Sequence, residues 1–184
     1  MRLAFAPIAL LLAASPALAA PPAWNVVPAA SSITFSGTHA GSAFSGKFGQ
    51  WSAAIAFDPA DLAHSSARVS IATATGKTGD GFRDAALEES EWFDPAKFPR
   101  ATFTTTKISA SGPGRYVADG VLTIKGKAVP VKLPFTLKIA GATATMNGTV
   151  VIDRLAFGMG ATADATGAWV SKQIKLTIAV TAKK

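Results

Sequence analysis

From Val129 to Ile139 the chain alternates without a break. Val129, Val131, Leu133, Phe135, Leu137 and Ile139 fall on one side, and Pro130, Lys132, Pro134, Thr136 and Lys138 fall on the other. A period of two is that of a strand with one buried face, and it excludes a helix over this stretch. The two prolines sit on the outer side, where they interrupt ladder hydrogen bonds and point to an edge or irregular strand.

The same period recurs through the chain. Ile33 and Phe35 alternate with Ser32, Thr34 and Ser36, and Val69, Ile71 and Thr73 share one face of a later segment. Ile174, Leu176, Ile178 and Val180 alternate with Gln173, Lys175 and Thr177 near the end of the chain. Between Phe44 and Phe57 the parity flips: Phe44, Gly46 and Phe48 are even, whereas Trp51, Ala53, Ile55 and Phe57 are odd. A glycine at the flip, Gly49, predicts a bulge or corner that lets a sheet close on itself. About eight strands with one-sided apolar faces give an all-β protein, and the pattern leaves an antiparallel barrel and a sandwich both open.

One segment departs from this rule. Over Asp80–Phe103, Phe82, Ala86, Ser90 and Phe93 recur at near-helical spacing, with Leu87 and Trp92 widening the face, Asp80 as cap and Pro95 as stop. The expectation is a single acidic helix whose Phe82, Ala86, Leu87 and Phe93 pack on the sheet while Glu88, Glu89 and Glu91 face water.

The first residues read as a leader. Arg2 is followed by an apolar run, Leu3 to Ala14, and by Ala17-Leu18-Ala19, a small-x-small cleavage site. Residues 1–19 are therefore expected to be a secretory signal peptide and 20–184 a single domain, exported to the periplasm. No later run is long and apolar enough for a membrane helix. Cysteine is absent, which removes disulfides, thiolate metal sites and thiol nucleophiles.

The formal charge is +7, one less once Arg2 leaves. It is unevenly spread. Asp80, Asp84, Glu88, Glu89, Glu91 and Asp94 crowd the helical stretch, whereas Lys125, Lys127, Lys132, Lys138, Lys172, Lys175, Lys183 and Lys184 crowd the later strands. With export expected, and with no recognition helix or interleaved aromatics, nucleic acid is not an expected partner. An anionic membrane surface is one reading of the lysines and plain solubility the other.

Taken together, several segments resemble the YceI-like family of exported, lipocalin-like barrels associated with polyisoprenoid binding. They include Ser31-Ser32-Ile33-Thr34-Phe35, Gly46-Lys47-Phe48, Phe57-Asp58-Pro59, Arg83-Asp84-Ala85-Ala86-Leu87, Lys97-Phe98-Pro99, Gly120-Val121-Leu122-Thr123-Ile124-Lys125-Gly126 and Asp153-Arg154-Leu155-Ala156-Phe157-Gly158. The resemblance runs from about Trp24 to Ala182. It implies an eight-stranded antiparallel barrel whose apolar lumen holds a long lipid, with the helix over part of it. Val27 and Ala30 stand where many members carry an acidic residue and a histidine. Trp92-Phe93-Asp94 and the Ile55-to-Pro59 wording resemble the branch found beside b-type di-haem membrane cytochromes.

Candidate ligand contacts follow from apolar parity and from the family motifs: Ile33, Phe35, Phe44, Phe48, Ile55, Phe103, Leu122, Phe135, Leu137 and Phe157 for a tail, and His39, Arg83 and Arg154 for a head group. His39 can equally hydrogen-bond a carboxylate or act as a base, and each arginine can equally pin a buried carboxylate. His64 lies in a polar turn, Asp61 to Ser66. The reactive inventory is too thin for an expected enzyme, and no cofactor or metal is expected. Two readings stand: a carrier of a polyisoprenoid such as a quinone or prenyl phosphate, and an accessory or docking partner of a b-type di-haem membrane cytochrome.

Overall fold

The computed structural model describes residues 20–184, so the expected signal peptide lies outside the described residues. The chain enters as β1 (Ala23–Val26), then forms β2 (Ser32–His39), β3 (Ser42–Phe48), β4 (Trp51–Ala56), β5 (Ser66–Ala72), the two-residue β6 (Gly76–Lys77) and α1 (Gly81–Ala86). Five long strands follow: β7 (Arg100–Gly112), β8 (Arg115–Ile124), β9 (Lys127–Ala140), β10 (Thr143–Asp153) and β11 (Gln173–Lys183).

These strands close into a barrel. Around the ring run β1, β4, β5, β7, β8, β9, β10 and β11, all antiparallel, with β1 pairing back onto β11. The barrel option left open by periodicity is thus the one taken. Over its first half β11 pairs instead with β2, which carries β3 and β6 with it. Two tight hairpins set the register of their strands: Ala40-Gly41 joins β2 to β3 and Lys125-Gly126 joins β8 to β9, with both residues of each pair at positive φ. That left-handed pair is the turn whose twist matches the strands it joins.

The predicted corner at Gly49 is present. β3 ends at Phe48, β4 begins at Trp51, and the two strands pair with different neighbours. Both Phe48 and Trp51 face inward across the flip. The break is stitched to the following segment: Gly49 N donates to Thr75 O at 3.0 Å, Gln50 N to Thr75 Oγ1 at 3.1 Å, and Ala72 N to Gln50 O at 3.0 Å.

The acidic helix is much shorter than its spacing predicts. Asp80 caps it as expected, accepting from Arg83 N at 3.0 Å, but the helix ends at Ala86 and the chain turns from Leu87 onward. Tertiary bonds override the local pattern. Glu91 Oε2 accepts from Thr162 N and Ala163 N, Glu91 O accepts from Gly160 N, and Phe93 drops to pack its ring 5.7 Å from that of Phe48. Phe93 and Leu87 therefore join the core as expected, whereas Phe82 is 79% exposed and Glu91 is drawn into the fold rather than into water.

Candidate functional site

The barrel interior divides into two halves of different character. In the half beneath α1, Phe35, Phe44 and Phe48 meet ring to ring, with Phe35 5.2 Å from Phe48 and 6.4 Å from Phe44, and Phe93, Phe157 and Met159 complete a packed plug. In the other half, inward positions carry Ala53, Ala67, Ala118, Ala144 and Ala182, where the plug has phenylalanines. Small side chains on a ring of fixed circumference leave space. The result is a cavity of ≈ 170 Å³, walled by Trp24, Ile33, Trp51, Ile55, Phe57, Phe103, Leu122, Leu133, Phe135, Leu137, Met146 and their neighbours.

Its chemistry is simple. Ser66 and Thr105 are the only hydroxyl-bearing residues on the wall, no charged residue lines it, and Thr105 Oγ1 is taken up by the backbone N–H of Ala67 at 2.9 Å. Trp51, Ile55, Val69, Phe103, Phe135, Leu137 and Ile178 point inward yet stay only half-buried. Such a wall takes hydrocarbon out of water and carries no carboxylate, imidazole, guanidinium or ammonium group. Among the described residues, no three His, Asp or Glu side chains gather to hold a metal. The volume is on the scale of the ~150 Å³ cavities that hold one benzene, so a longer chain requires the half-buried wall to spread.

Of the candidate contacts, Ile33, Ile55, Phe103, Leu122, Phe135 and Leu137 line the cavity. Phe35, Phe44, Phe48 and Phe157 lie outside it, in the plug or its packing. His39 ends β2 at the plugged end and faces Val170 across a single bridge. Arg83 sits over the Phe44 ring at 6.0 Å, on the outside of the plug, and its buried Nε has no hydrogen-bond partner among the described residues. Arg154 is 1% exposed, and its guanidinium donates to Met159 O, Asp164 O, Asp164 Oδ2 and Val170 O at 2.7–2.9 Å. Of the two roles open to Arg154, pinning a buried carboxylate is the one its geometry fills, and at 1% exposure it does not reach a head group at the surface. Away from the cavity, His64 Nδ1 lies 2.8 Å from Asp61 Oδ2 on the surface.

The acidic stretch is also engaged internally. Glu88 pairs with Lys77 at 2.9 Å. Asp84 Oδ1 accepts from Thr78 N and Oγ1 at 2.6 and 2.7 Å, bonds that hold its carboxyl below the ordinary range. Glu91 is held low in the same way by the N–H groups of Ala163 and Thr162.

Trp24 is a wall residue that the sequence pattern does not single out. It lies on the short first strand, where four residues show no clear period, and it is fixed by donation from Nε1 to Phe57 O at 2.9 Å. The alanines carry the readable signal: five small residues at inward parity are where a self-filling barrel would place large ones.

A closed eight-stranded antiparallel barrel with an apolar, uncharged lumen defines a lipocalin-like binding barrel. The YceI-like domain model matches residues 24–182, and the chain belongs to that family. The crystal structure of BcnA from Burkholderia cenocepacia superposes with a TM-score of 0.82 at 32% identity, covering 85% of this chain and 99% of that one. A polyisoprenoid-binding domain from Saccharophagus degradans, implicated in plant cell wall breakdown, shares the fold with a TM-score of 0.67 at 14% identity, over 87% of this chain and 97% of that one. Among relatives by sequence, a UPF0312 protein of Vibrio cholerae is 30% identical over 101 residues, 54% of this chain and 53% of that protein. The chain thus spans about half the length of the Vibrio relatives that it matches.

Proposed function

We propose that this protein binds a polyisoprenoid, of quinone or prenyl phosphate type, inside the barrel, and carries it through the periplasm after export without chemistry of its own. The observation that carries the reading is the uncharged cavity running between the alanine-lined strands, because its wall suits a hydrocarbon chain and has no charged group to hold a polar ligand. Family membership and the barrel of the Saccharophagus polyisoprenoid-binding domain support the same ligand class.

The energetics favour exchange over capture. Taking one isoprenoid unit out of water is worth about 3 to 4 kcal/mol, at roughly 0.8 kcal/mol per carbon group. Drawing the same unit from a bilayer gains almost nothing, since lipid tails are as apolar as the wall. A charged phosphate would have to shed its water without a partner in this lumen, so a head group of that type stays at the surface. Native mass spectrometry and lipid extraction of protein purified from its own host test the reading. A co-purifying isoprenoid is expected, and repeated recovery of the protein without lipid would overturn it.

A further inference from the structure

The plug fills one end, and at the other Phe57 stands edge-on to Tyr116 at 5.3 Å while Tyr116 stacks on Phe135 at 5.4 Å, with Trp24 bonded to Phe57. A second approach to the cavity, besides that end, lies between strands.

One pair of ring neighbours parts company. β9 and β10 pair only from Ala140↔Thr143 to Phe135↔Gly148. Beyond that, Lys127–Pro134 pairs with β8 alone, and Thr149–Asp153 pairs with β11 alone. Among the described residues no side-chain hydrogen bond or ion pair crosses the gap, in contrast to the stitched break at Gly49.

The sequence explains why. Leu137 N donates toward β8, to Gly114 O at 2.8 Å. Because N–H directions alternate along a strand, the even-numbered residues of β9 aim theirs at β10. The next even residues past the last pair are Pro134, Lys132 and Pro130, so two of them have no N–H to give. The gap flanks the cavity: Val131 and Leu133 on one lip and Val150 on the other line its wall, while Val129 and Ile152 farther along pack into the plug. Outside, where the ladder ends, a second concavity of ≈ 480 Å³ shares Phe135 with the cavity and is edged by Arg115, Thr136 and Asn147.

The surface around the gap is basic and partly apolar. Val151 on its lip is 55% exposed, and Lys127, Lys138, Lys172 and Lys175 are exposed, with no acidic side chain at ion-pair distance among the described residues. Lys132 pairs with Asp119. Exposed lysines around an apolar lip complement an anionic lipid surface.

We propose that the β9–β10 gap is a lateral portal, through which a lipid tail passes between the cavity and an anionic bilayer lying against this face. The head group rests in the outer concavity beside Arg115. This rests on the lipid-binding reading and adds the route and the membrane-facing side.

The test uses the mature protein and vesicles carrying an isoprenoid quinone, which quenches Trp24 and Trp51 when it enters the cavity. Lys132→Cys/Val151→Cys, joined after folding by a short bis-maleimide, ties the two lips. Val151→Cys/Lys175→Cys uses the same Val151 position but ties β10 to the strand with which it already pairs. Uptake from phosphatidylglycerol vesicles should slow by about tenfold in the first and stay unchanged in the second. Equal rates in the two cross-linked proteins would overturn the portal while leaving lipid binding intact. Uptake should also be faster from phosphatidylglycerol than from phosphatidylcholine, with the advantage lost at high salt; no such difference would overturn the bilayer-facing assignment. No quenching by detergent-dispersed quinone in any form would remove the lipid reading, and the portal with it.

Discussion

Arg154 donates from Nη2 to Asp164 Oδ2 at 2.7 Å, with the two side chains 1% and 6% exposed. The same guanidinium lies 5.5 Å from the Trp92 ring, and Asp164 accepts in turn from Val170 N at 2.8 Å and Trp169 N at 3.2 Å. One ion pair thus organises the whole connection between β10 and β11 and ties it to the segment after α1.

Removing one partner leaves a buried charge uncompensated. Arg154→Met should cost about 3–5 kcal/mol, read as a lowered midpoint in urea. Arg154→Lys should recover little of it, because a single ammonium cannot reproduce a planar fork aimed at several carbonyls.

The carboxylates make stability acid-sensitive. Burial by itself pushes Asp164 up, but the N–H groups of Val170 and Trp169 and the charge of Arg154 outweigh it and hold the carboxyl below the ordinary range. Glu91 and Asp84 are shifted in the same direction. A carboxyl with a lowered folded pKa contributes fully above its unfolded value of about 4, and that contribution is lost as pH falls through the folded value. The urea midpoint should hold steady from neutral pH to about 5 and drop below about 4. Asp164→Asn should flatten the acid limb, and a midpoint that rises on acidification would contradict the account.

Filling the cavity should separate binding from folding. Ala53 lies on the wall between Trp51 and Ile55, and Ala53→Phe should reduce isoprenoid affinity by about tenfold or more while leaving the thermal midpoint equal or higher. A variant that still binds normally would show that the lipid goes elsewhere.

Two strand glycines are there for aromatic rings. A Cβ on Gly120 would lie 2.5 Å from Phe103 Cε2 and 2.6 Å from Thr104 O, and one on Gly46 would meet the Phe35 ring and lie 2.8 Å from Lys77 O. Gly120→Ala should cost about 1–3 kcal/mol by overpacking, seen in urea denaturation. Because Phe103 lines the cavity, it should also perturb lipid binding.

Strand periodicity located most of the barrel, since each strand buries one face and parity records which. Even the corner was visible, because a closed sheet cannot change its inner face without a break such as that at Gly49. The helix was over-read, because spacing from Phe82 to Phe93 says nothing of Glu91 bonding to Thr162 and Ala163 across the fold. Within the site, parity identified Ile33, Ile55, Phe103, Leu122, Phe135 and Leu137 as inward, but it could not tell the cavity half from the plug half that took Phe35, Phe44 and Phe48. That difference lies in which strands face one another and where the alanines fall in the ring. Pro130 and Pro134 announced an interrupted ladder, but which neighbour they lose depends on N–H direction, and that is known only once β8 and β10 are placed.

The most direct measurement is native mass spectrometry of the wild type and Ala53→Phe, both purified from the native host. A mass increment matching one isoprenoid on the wild type and absent from the variant is the predicted result. Spectra of both proteins without any increment, or with the same one, would contradict a lipid held in this cavity.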